Sequence, residues 1–271
     1  MMRILYGGEK PRPLAPSVSI GRMLQPAGCT SDYLLNTVAS RLQRLRQILS
    51  AHVFVYVYYG TISDWMIEQA CFITAMGVPI VRWWVGSDVL GLLRDPVRAE
   101  RARLLDRHVA ANITVAPHLQ EELRGVGIDS QVIGIVPPDL DTPHRAEWNR
   151  RLAQSVLVYL PAHRAEFHGA ALLDRLIHVR PDLTFYLVGD DRTRYRGQSN
   201  VVSLGQVPLE HMPSVYRKVG VLLRLTRHDG LPRMVLEALA RGKYVICSSP
   251  MPSCLHAHAF EEVTETLDYV G

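Results

Sequence analysis

The sequence predicts an α/β protein built as two successive parallel-sheet domains. Three observations carry the prediction. Short apolar runs alternate with amphipathic stretches along most of the chain, the alternation breaks at PPDLDTPHRAEWNRR (137–151), and it then restarts in the same form. Strands joined by helices of this kind form parallel sheets covered on both faces, because every crossover lays a helix across the sheet. The 271 residues suffice for two such domains, and 48% hydrophobic against 21% charged residues supplies cores and excludes a disordered chain.

The elements follow in order. MRILYG (2–7) is a first strand, YLLNTVASRLQRLRQIL (33–49) has apolar residues at helical spacing, and HVFVYVYY (52–59) is a fully buried strand type. SDWMIEQACFITAM (63–76) is a helix with Ser63 as its cap, followed by the strand VPIVRWWV (78–85). A helix over 97–109, the strand NITVA (112–116), the helix HLQEELRGVG (118–127) and the strand SQVIGIV (130–136) close the first domain, 1–136. The three prolines of the break place the connection at 137–154. In the second domain, 155–271, the order is SVLVYLP, helix GAALLDRLIHV, strands LTFYLVG and NVVSLG, helix HMPSVYRKV, strand GVLLRLT, helix, strand YVICS, and one helix after the last strand. Two parallel-sheet domains in tandem are expected to face across a cleft, with ligand at the carboxyl ends of the strands.

Bulk properties narrow the class. No apolar run approaches a membrane span of roughly 18 residues, and the start lacks a basic segment followed by an apolar one, so neither a span nor a secretory signal is expected. Cys29, Cys71, Cys247 and Cys254 show no CxxC spacing, which fits a reducing cytoplasm and neither zinc nor a disulfide framework. The net charge of +4 is carried by arginine, since only Lys10, Lys218 and Lys243 are lysine, and it identifies no nucleic-acid partner. His256 and His258 stand at i, i+2 without a third ligand at evident spacing, so no metal is expected. Arg94, Arg98 and Arg101, at i, i+4 and i+7, form a basic stripe open to two readings: a solvated helix face, or a peripheral contact with anionic lipid or acceptor.

The most informative stretch is TRHDGLPRMVLEALARGKYVI (226–246). Pro232 suits the first helical position, which puts the cap near Leu231, a residue with no oxygen to offer. The first-turn N–H groups are then available to an anion or a sugar hydroxyl, and Gly230 permits close approach to the backbone. Val235 and Leu239 mark one helix face, and Glu237 lies about 200° from each. Two readings of the acids stay open on these grounds: Asp229 as a turn former with Glu237 in an exposed ion-pair trio with Arg233 and Arg241, or both acids at a ligand site.

D-G-L-P-x-x-x-L-E-A-L-A-x-G-x-x-V-I resembles the signature of retaining, nucleotide-sugar-dependent glycosyltransferases of the glycogen-synthase-like group (glycosyltransferase group 1), in a short variant. The spacing from Asp229 to Glu237 matches, with aspartate where the family usually has glutamate. WVGSDVL (84–90) is similar to the family's His-Gly-Ser-Asp segment, LPAHRAEFHGAALLDRL (160–176) to its phosphate-binding loop, and LGQVPLEHMPSVYRKVGVLL (204–223) to its base-binding turn and helix. The resemblance covers roughly residues 78 to 250 and implies two Rossmann-like domains, the GT-B fold.

It also implies roles. Glu237 would accept from the ribose hydroxyls and Asp229 would hold hydroxyls of the donor sugar. The backbone of Gly230, Leu231, Pro232 and Arg233 would face the sugar and distal phosphate. Arg164 would neutralise the diphosphate, and His168, just before Gly169, replaces the family's phosphate lysine; with Asp229 these two form the implied catalytic set. The turn from Gly205 to Val207 would meet the base, and Gly86, Ser87 and Asp88 would border the cleft from the first domain. The family's first-domain histidine is Val85 in this register, after Trp83 and Trp84, and His163 is one replacement to weigh against an ordinary loop histidine. Histidine at 168 is only partly charged near neutral pH unless a bound diphosphate holds its proton.

The function implied is transfer of a sugar from a UDP- or GDP-type donor to a carbohydrate, lipid or protein acceptor, with retention and without metal or other cofactor. The short chain leaves a homodimer open. The second reading is a non-catalytic nucleotide-sugar binder or accessory subunit of a glycosylation complex, and a third is a sugar-nucleotide epimerase on the same fold.

Overall fold

The computed structural model describes residues 1–7, 15–34, 41–57, 62–136, 140 and 150–271, and divides the chain into two compact units, Met1–Asp139 and Leu140–Gly271. Most of the connection expected over 137–154 lies outside the described residues.

The first unit runs β1 (Met2–Gly7), α1 (Pro16–Leu24), β2 (Cys29–Tyr33), α2 (Arg41–Ser50), β3 (Val53–Val57), α3 (Asp64–Ala75), β4 (Ile80–Trp84), α4 (Ser87–Arg94), α5 (Pro96–Asp106), β5 (Ala111–Thr114), α6 (Pro117–Gly125) and β6 (Gln131–Val132). Its six strands are all parallel, in the order β2-β1-β3-β4-β5-β6. The central strands β3 and β4 are buried along almost their whole length, as their unbroken apolar runs predicted.

Three expectations need correction here. Of the helix expected over 33–49, Arg41–Ser50 is helical and 35–40 lie outside the described residues, but Tyr33 belongs to β2, a polar edge strand that only its pairing with β1 reveals. The helix expected over 97–109 spans Pro96–Asp106, and a separate helix, α4, precedes it. Asp95 divides the two: its extended backbone ends α4, and its Oδ1 accepts from the N–H groups of Val97 and Arg98 at 3.0 and 3.3 Å, an N-cap reinforced by Pro96 at the first helical position. Arg94, Arg98 and Arg101 therefore do not form one stripe. Arg94 ends α4, Arg98 pairs with Asp95 at 3.2 Å and Arg101 with Asp64 at 2.6 Å.

The second unit runs α7 (Arg150–Ala153), β7 (Ser155–Tyr159), α8 (Ala170–Val179), β8 (Thr184–Val188), β9 (Val201–Gly205), α9 (Met212–Tyr216), β10 (Val221–Arg224), α10 (Arg233–Ala240), β11 (Tyr244–Cys247), β12 (Leu255–His256) and α11 (Phe260–Val270). Its strands are again all parallel, in the order β12-β11-β10-β7-β8-β9. This is the doubly wound order in which the chain starts at the centre and builds outward in both directions. One face packs Leu173, Leu176 and Ile177 of α8 with Val263 and Leu267 of α11. The other packs Val215 and Tyr216 of α9 with Val235 and Ala238 of α10. Among the described residues no helix is long and apolar enough to cross a membrane.

Candidate functional site

In the second sheet β7 and β10 are neighbours whose onward connections run to opposite sides. Ligands of open parallel sheets bind beyond the carboxyl ends of such a pair. The two loops leaving these ends carry most of the candidate residues. A 3-10 segment, Ala162–His168, follows β7, and residues 225–232 follow β10. The two loops are tied together, because the Arg227 N–H donates to the Phe167 carbonyl at 3.0 Å. Gly169 is left-handed at φ +81°, and a Cβ there would lie 2.5 Å from Leu225 Cβ and 2.6 Å from the Leu225 carbonyl oxygen. Only glycine lets the loop close this tightly on the end of β10.

Asp229 is held from four directions. Arg224, buried at the end of β10, donates from Nε and Nη2 to Asp229 Oδ2 at 2.8 and 2.7 Å. Thr226 Oγ1 donates to the same oxygen at 3.3 Å, and the Gly230 N–H to Oδ1 at 3.1 Å. The Arg224 guanidinium also lies 5.2 Å from the Tyr159 ring centroid. A carboxylate gripped this way is fixed in orientation before any ligand arrives, which is what recognition of sugar hydroxyls requires. Ser248, on the loop after β11, braces the same strand end by donating its hydroxyl to the carbonyl oxygens of Arg224 and Thr226.

His168 is buried, with its ring edge-on to Tyr159 at 5.1 Å and to Phe167 at 5.4 Å. Burial first, and then the Arg224 charge, push its pKa down to about 4, against the opposing pull of Asp229. It is neutral at pH 7, and the partial charge expected from an unperturbed histidine is absent. Arg164 is exposed, its guanidinium 4.3 Å from the Phe167 ring centroid, and its charge contributes to the same depression of His168. His163 is likewise exposed on this loop.

Glu237 departs from the exposed trio. It is only 5% exposed, because α9 packs along the side of α10 that the spacing of Val235 and Leu239 left unassigned. Its Oε1 accepts from Arg233 Nε at 2.6 Å and its Oε2 from the Tyr216 hydroxyl at 2.8 Å. Arg241, expected to pair with the carboxylate, instead donates from Nη1 to the Glu237 main-chain carbonyl at 3.0 Å. Burial and the neighbouring Glu237 charge raise the Tyr216 pKa, so this hydroxyl stays protonated and remains a donor. The start of α10 also shifts by one residue. Pro232 is the N-cap, extended at φ −69° and ψ 138°, and Arg233 is the first helical residue. No side chain caps this helix, as expected from the lack of a capping oxygen at Leu231 or Pro232.

The turn from Gly205 to Val207 forms at the end of β9. Gly205 is left-handed and buried, and its N–H donates to Asp190 Oδ1 at 2.9 Å, while Val207 is partly buried. In the first unit, Gly86 to Asp88 lie at the carboxyl end of β4, where Gly86 caps α4 in front of Ser87. The Asp88 carboxylate is buried and accepts from the N–H groups of Gly86, Val85 and Val89 at 2.8 to 3.1 Å, so it shapes the turn. Its pKa is raised by burial, an effect the three N–H groups and Arg82 oppose.

Arg164, His168, Asp229 and the residues from Gly230 to Arg233 thus share the mouth of one switch point, with Glu237 along α10 and Gly205 and Val207 at the next strand ends. Arg224, Tyr216 and Asp190 were missed from sequence. The one signal for Arg224 is a lone cation inside the apolar run VLLRL. His256 and His258 are not joined by a third ligand: His256 Nε2 meets the Ser248 carbonyl at 3.1 Å, His258 pairs with Glu262 at 3.2 Å, and no metal-ligating trio occurs among the described residues.

Residues 157–260 match the family model for glycosyl transferases group 1. No curated protein matches the chain by sequence. Among solved structures, Anabaena HepE in complex with UDP-glucose is similar at TM-score 0.70 and 12% identity, with 99% of this chain and 89% of that one covered. HepE with UDP and glucose gives 0.69 and 14% over 99% and 89%. Sucrose-phosphate synthase from Thermosynechococcus elongatus gives 0.69 and 14% over 100% and 90%. These likenesses establish the architecture, two parallel-sheet α/β units of the GT-B kind, at identities too low to carry substrate. Within the second unit, residues 157–260 are therefore similar to glycosyl transferases group 1, and the chain as a whole has the GT-B architecture.

Proposed function

We propose that the protein transfers a sugar from a nucleotide-sugar donor, with retention and without a metal, and that the mouth of β7 and β10 is its donor site. The observation that carries this reading is the Arg224–Asp229 pair beside the uncapped start of α10. In the proposed site Asp229 accepts from the sugar hydroxyls, and the backbone of Gly230, Leu231 and Arg233 faces the sugar and distal phosphate. Arg164, exposed on a loop, swings from the Phe167 ring onto the diphosphate and stabilises the leaving group as the glycosidic bond breaks. Arg224 adds a second, buried cation behind Asp229. Glu237, pre-oriented by Arg233 and Tyr216, accepts from the ribose, and the Gly205–Val207 turn meets the base.

The complexes of HepE with UDP and UDP-glucose make UDP-sugars the first donors to test. Incubation with a panel of UDP- and GDP-sugars should release free nucleotide, in EDTA as well as without it, and Asp229→Ala should abolish release. The proposal fails if no donor binds or turns over, or if Asp229→Ala and Glu237→Ala change nothing. Loss of turnover in EDTA would overturn metal independence alone.

One observation favours a second reading, a nucleotide-sugar binder without turnover: His168 is neutral and walled by Tyr159 and Phe167 where the resemblance expects a lysine. Calorimetry showing tight UDP or GDP binding, with no hydrolysis or transfer to acceptors in cell extract, would select it. The acceptor belongs to neither reading's observations. Cytoplasmic location is proposed from cysteine usage, all four being free thiols.

A further inference from the structure

Arg192 is one of only two non-glycine residues with positive φ among the described residues, at φ 63°. A left-handed arginine is strained and persists only when its surroundings hold it. Here Asp190, buried to 7% exposure, does the holding. Its Oδ2 accepts the Arg192 N–H at 3.0 Å while its Oδ1 accepts the Gly205 N–H at 2.9 Å, so one carboxylate joins the strained residue to the turn after β9. The side chain then folds back over the turn. Arg192 Nη2 donates to the Leu204 carbonyl at 2.6 Å. A Cβ built on Gly205 would meet Arg192 Nε at 2.6 Å and both Cζ and Nη2 at 3.2 Å. Nε, Cζ and Nη2 all lie within 3.2 Å of that position, so the guanidinium occupies the space beside the Gly205 α-carbon that only glycine leaves open. Gln206 completes the frame by donating from Nε2 to the Gly189 carbonyl at 3.1 Å.

The result is a planar cation whose Nε and Nη2 side is fixed against Gly205 and the Leu204 carbonyl, on an exposed side chain. A surface salt bridge would explain none of this, since among the described residues no carboxylate pairs with the guanidinium, which donates instead to a main-chain carbonyl. Planar guanidinium groups held this way stack on flat π systems, which a lysine ammonium does not do.

We propose that Arg192 is the stacking platform for the nucleobase of the bound nucleotide, and that the strained backbone at 192 exists to lay it on the turn. This deepens the donor-site reading and rests on it. The ligand class is a nucleoside diphosphate or its sugar ester. Because every base presents a π face, the platform strengthens binding of uridine and guanosine nucleotides alike and contributes nothing to a ligand without a base.

Calorimetry on the full chain tests this with UDP, GDP and inorganic pyrophosphate. Arg192→Gly removes the guanidinium and accepts the left-handed backbone without strain, and Arg192→Asn, which also tolerates that conformation, is the second variant should the first loosen the loop. Losing a base–side-chain stack should weaken binding of the nucleotide that the wild type prefers by roughly 5- to 100-fold and leave pyrophosphate within about twofold. Arg192→Lys, which keeps the charge and loses the plane, should behave like the glycine variant. A parallel fall for pyrophosphate, or recovery of nucleotide affinity in the lysine variant, would show a charge or scaffold role and overturn the proposal. Unchanged nucleotide affinity in both the glycine and asparagine variants would overturn it with the donor site intact. Failure of the wild type to bind either nucleotide would instead bring down the donor-site reading, and this inference with it.

Discussion

The sharpest perturbation of this structure is a double-mutant cycle on Arg224 and Asp229. Their side chains are 10% and 19% exposed and share two contacts to one oxygen, at 2.8 and 2.7 Å. Removing one partner of a buried pair usually costs about 3–5 kcal/mol, because it strands the other charge. Asp229 is one-fifth exposed and keeps the Gly230 N–H and the Thr226 hydroxyl, which places Arg224→Ala below that range, at about 2–3 kcal/mol. Once Arg224 is gone, deleting Asp229 as well relieves part of that penalty. The double variant should therefore fall about 1–2 kcal/mol short of the sum of the singles, a coupling normal for residues in direct contact. Amide hydrogen exchange over peptides covering β7, β10 and β11 reads the stability of the second sheet directly, without assuming that both units unfold together. Additivity within about 0.3 kcal/mol would refute the pair as a structural unit. A single Arg224→Ala variant that keeps full nucleotide release would refute its place in the donor site.

Gly169→Ala should destabilise the second unit by about 2–5 kcal/mol, combining about 1–2 for a left-handed alanine with about 1–3 for the clash on the Leu225 backbone, measured by the same exchange experiment. His168 links stability to pH. Its pKa of about 4 lies below the ordinary 6.5, so between these values the unfolded chain binds more protons. Its contribution is complete above pH 6.5 and is lost as pH falls toward 4, and urea midpoints should show the wild type losing ground to His168→Gln across that window. The interaction of the two neighbouring thiols, with burial, raises the Cys247 pKa, and the same interaction lowers that of Cys254. Iodoacetamide followed by peptide mapping should therefore modify Cys254 well before Cys247, and the reverse order would contradict this assignment.

Much of the fold is legible because strands buried on both faces must be apolar throughout. VFVYV, SVLVY and VLLR announce β3, β7 and β10 without reference to anything distant. β2 was not legible, since CTSDY has no apolar run and becomes a strand only by pairing with β1. The boundary between α4 and α5 depends on one local competition, in which the Asp95 side chain takes the N–H groups of the next helix. The periodicity of apolar residues does not register it, and the apparent stripe of Arg94, Arg98 and Arg101 dissolves there.

The candidate site divides along the same line. By itself, the sequence singled out the residues proposed to bear the chemistry: the acids Asp229 and Glu237 at the spacing of the resemblance, an uncapped helix start, and an arginine on the loop after β7. These are covalent facts of order and spacing, and folding does not change them. Only the tertiary structure decided their state. It buried Glu237 under Tyr216, made His168 neutral between two aromatic rings, and brought Arg224 onto Asp229 and Arg192 onto Gly205. The reason is physical: burial and partnership set the charge, protonation and orientation of a side chain, and the partners come from strands and helices that meet only once the sheet has formed.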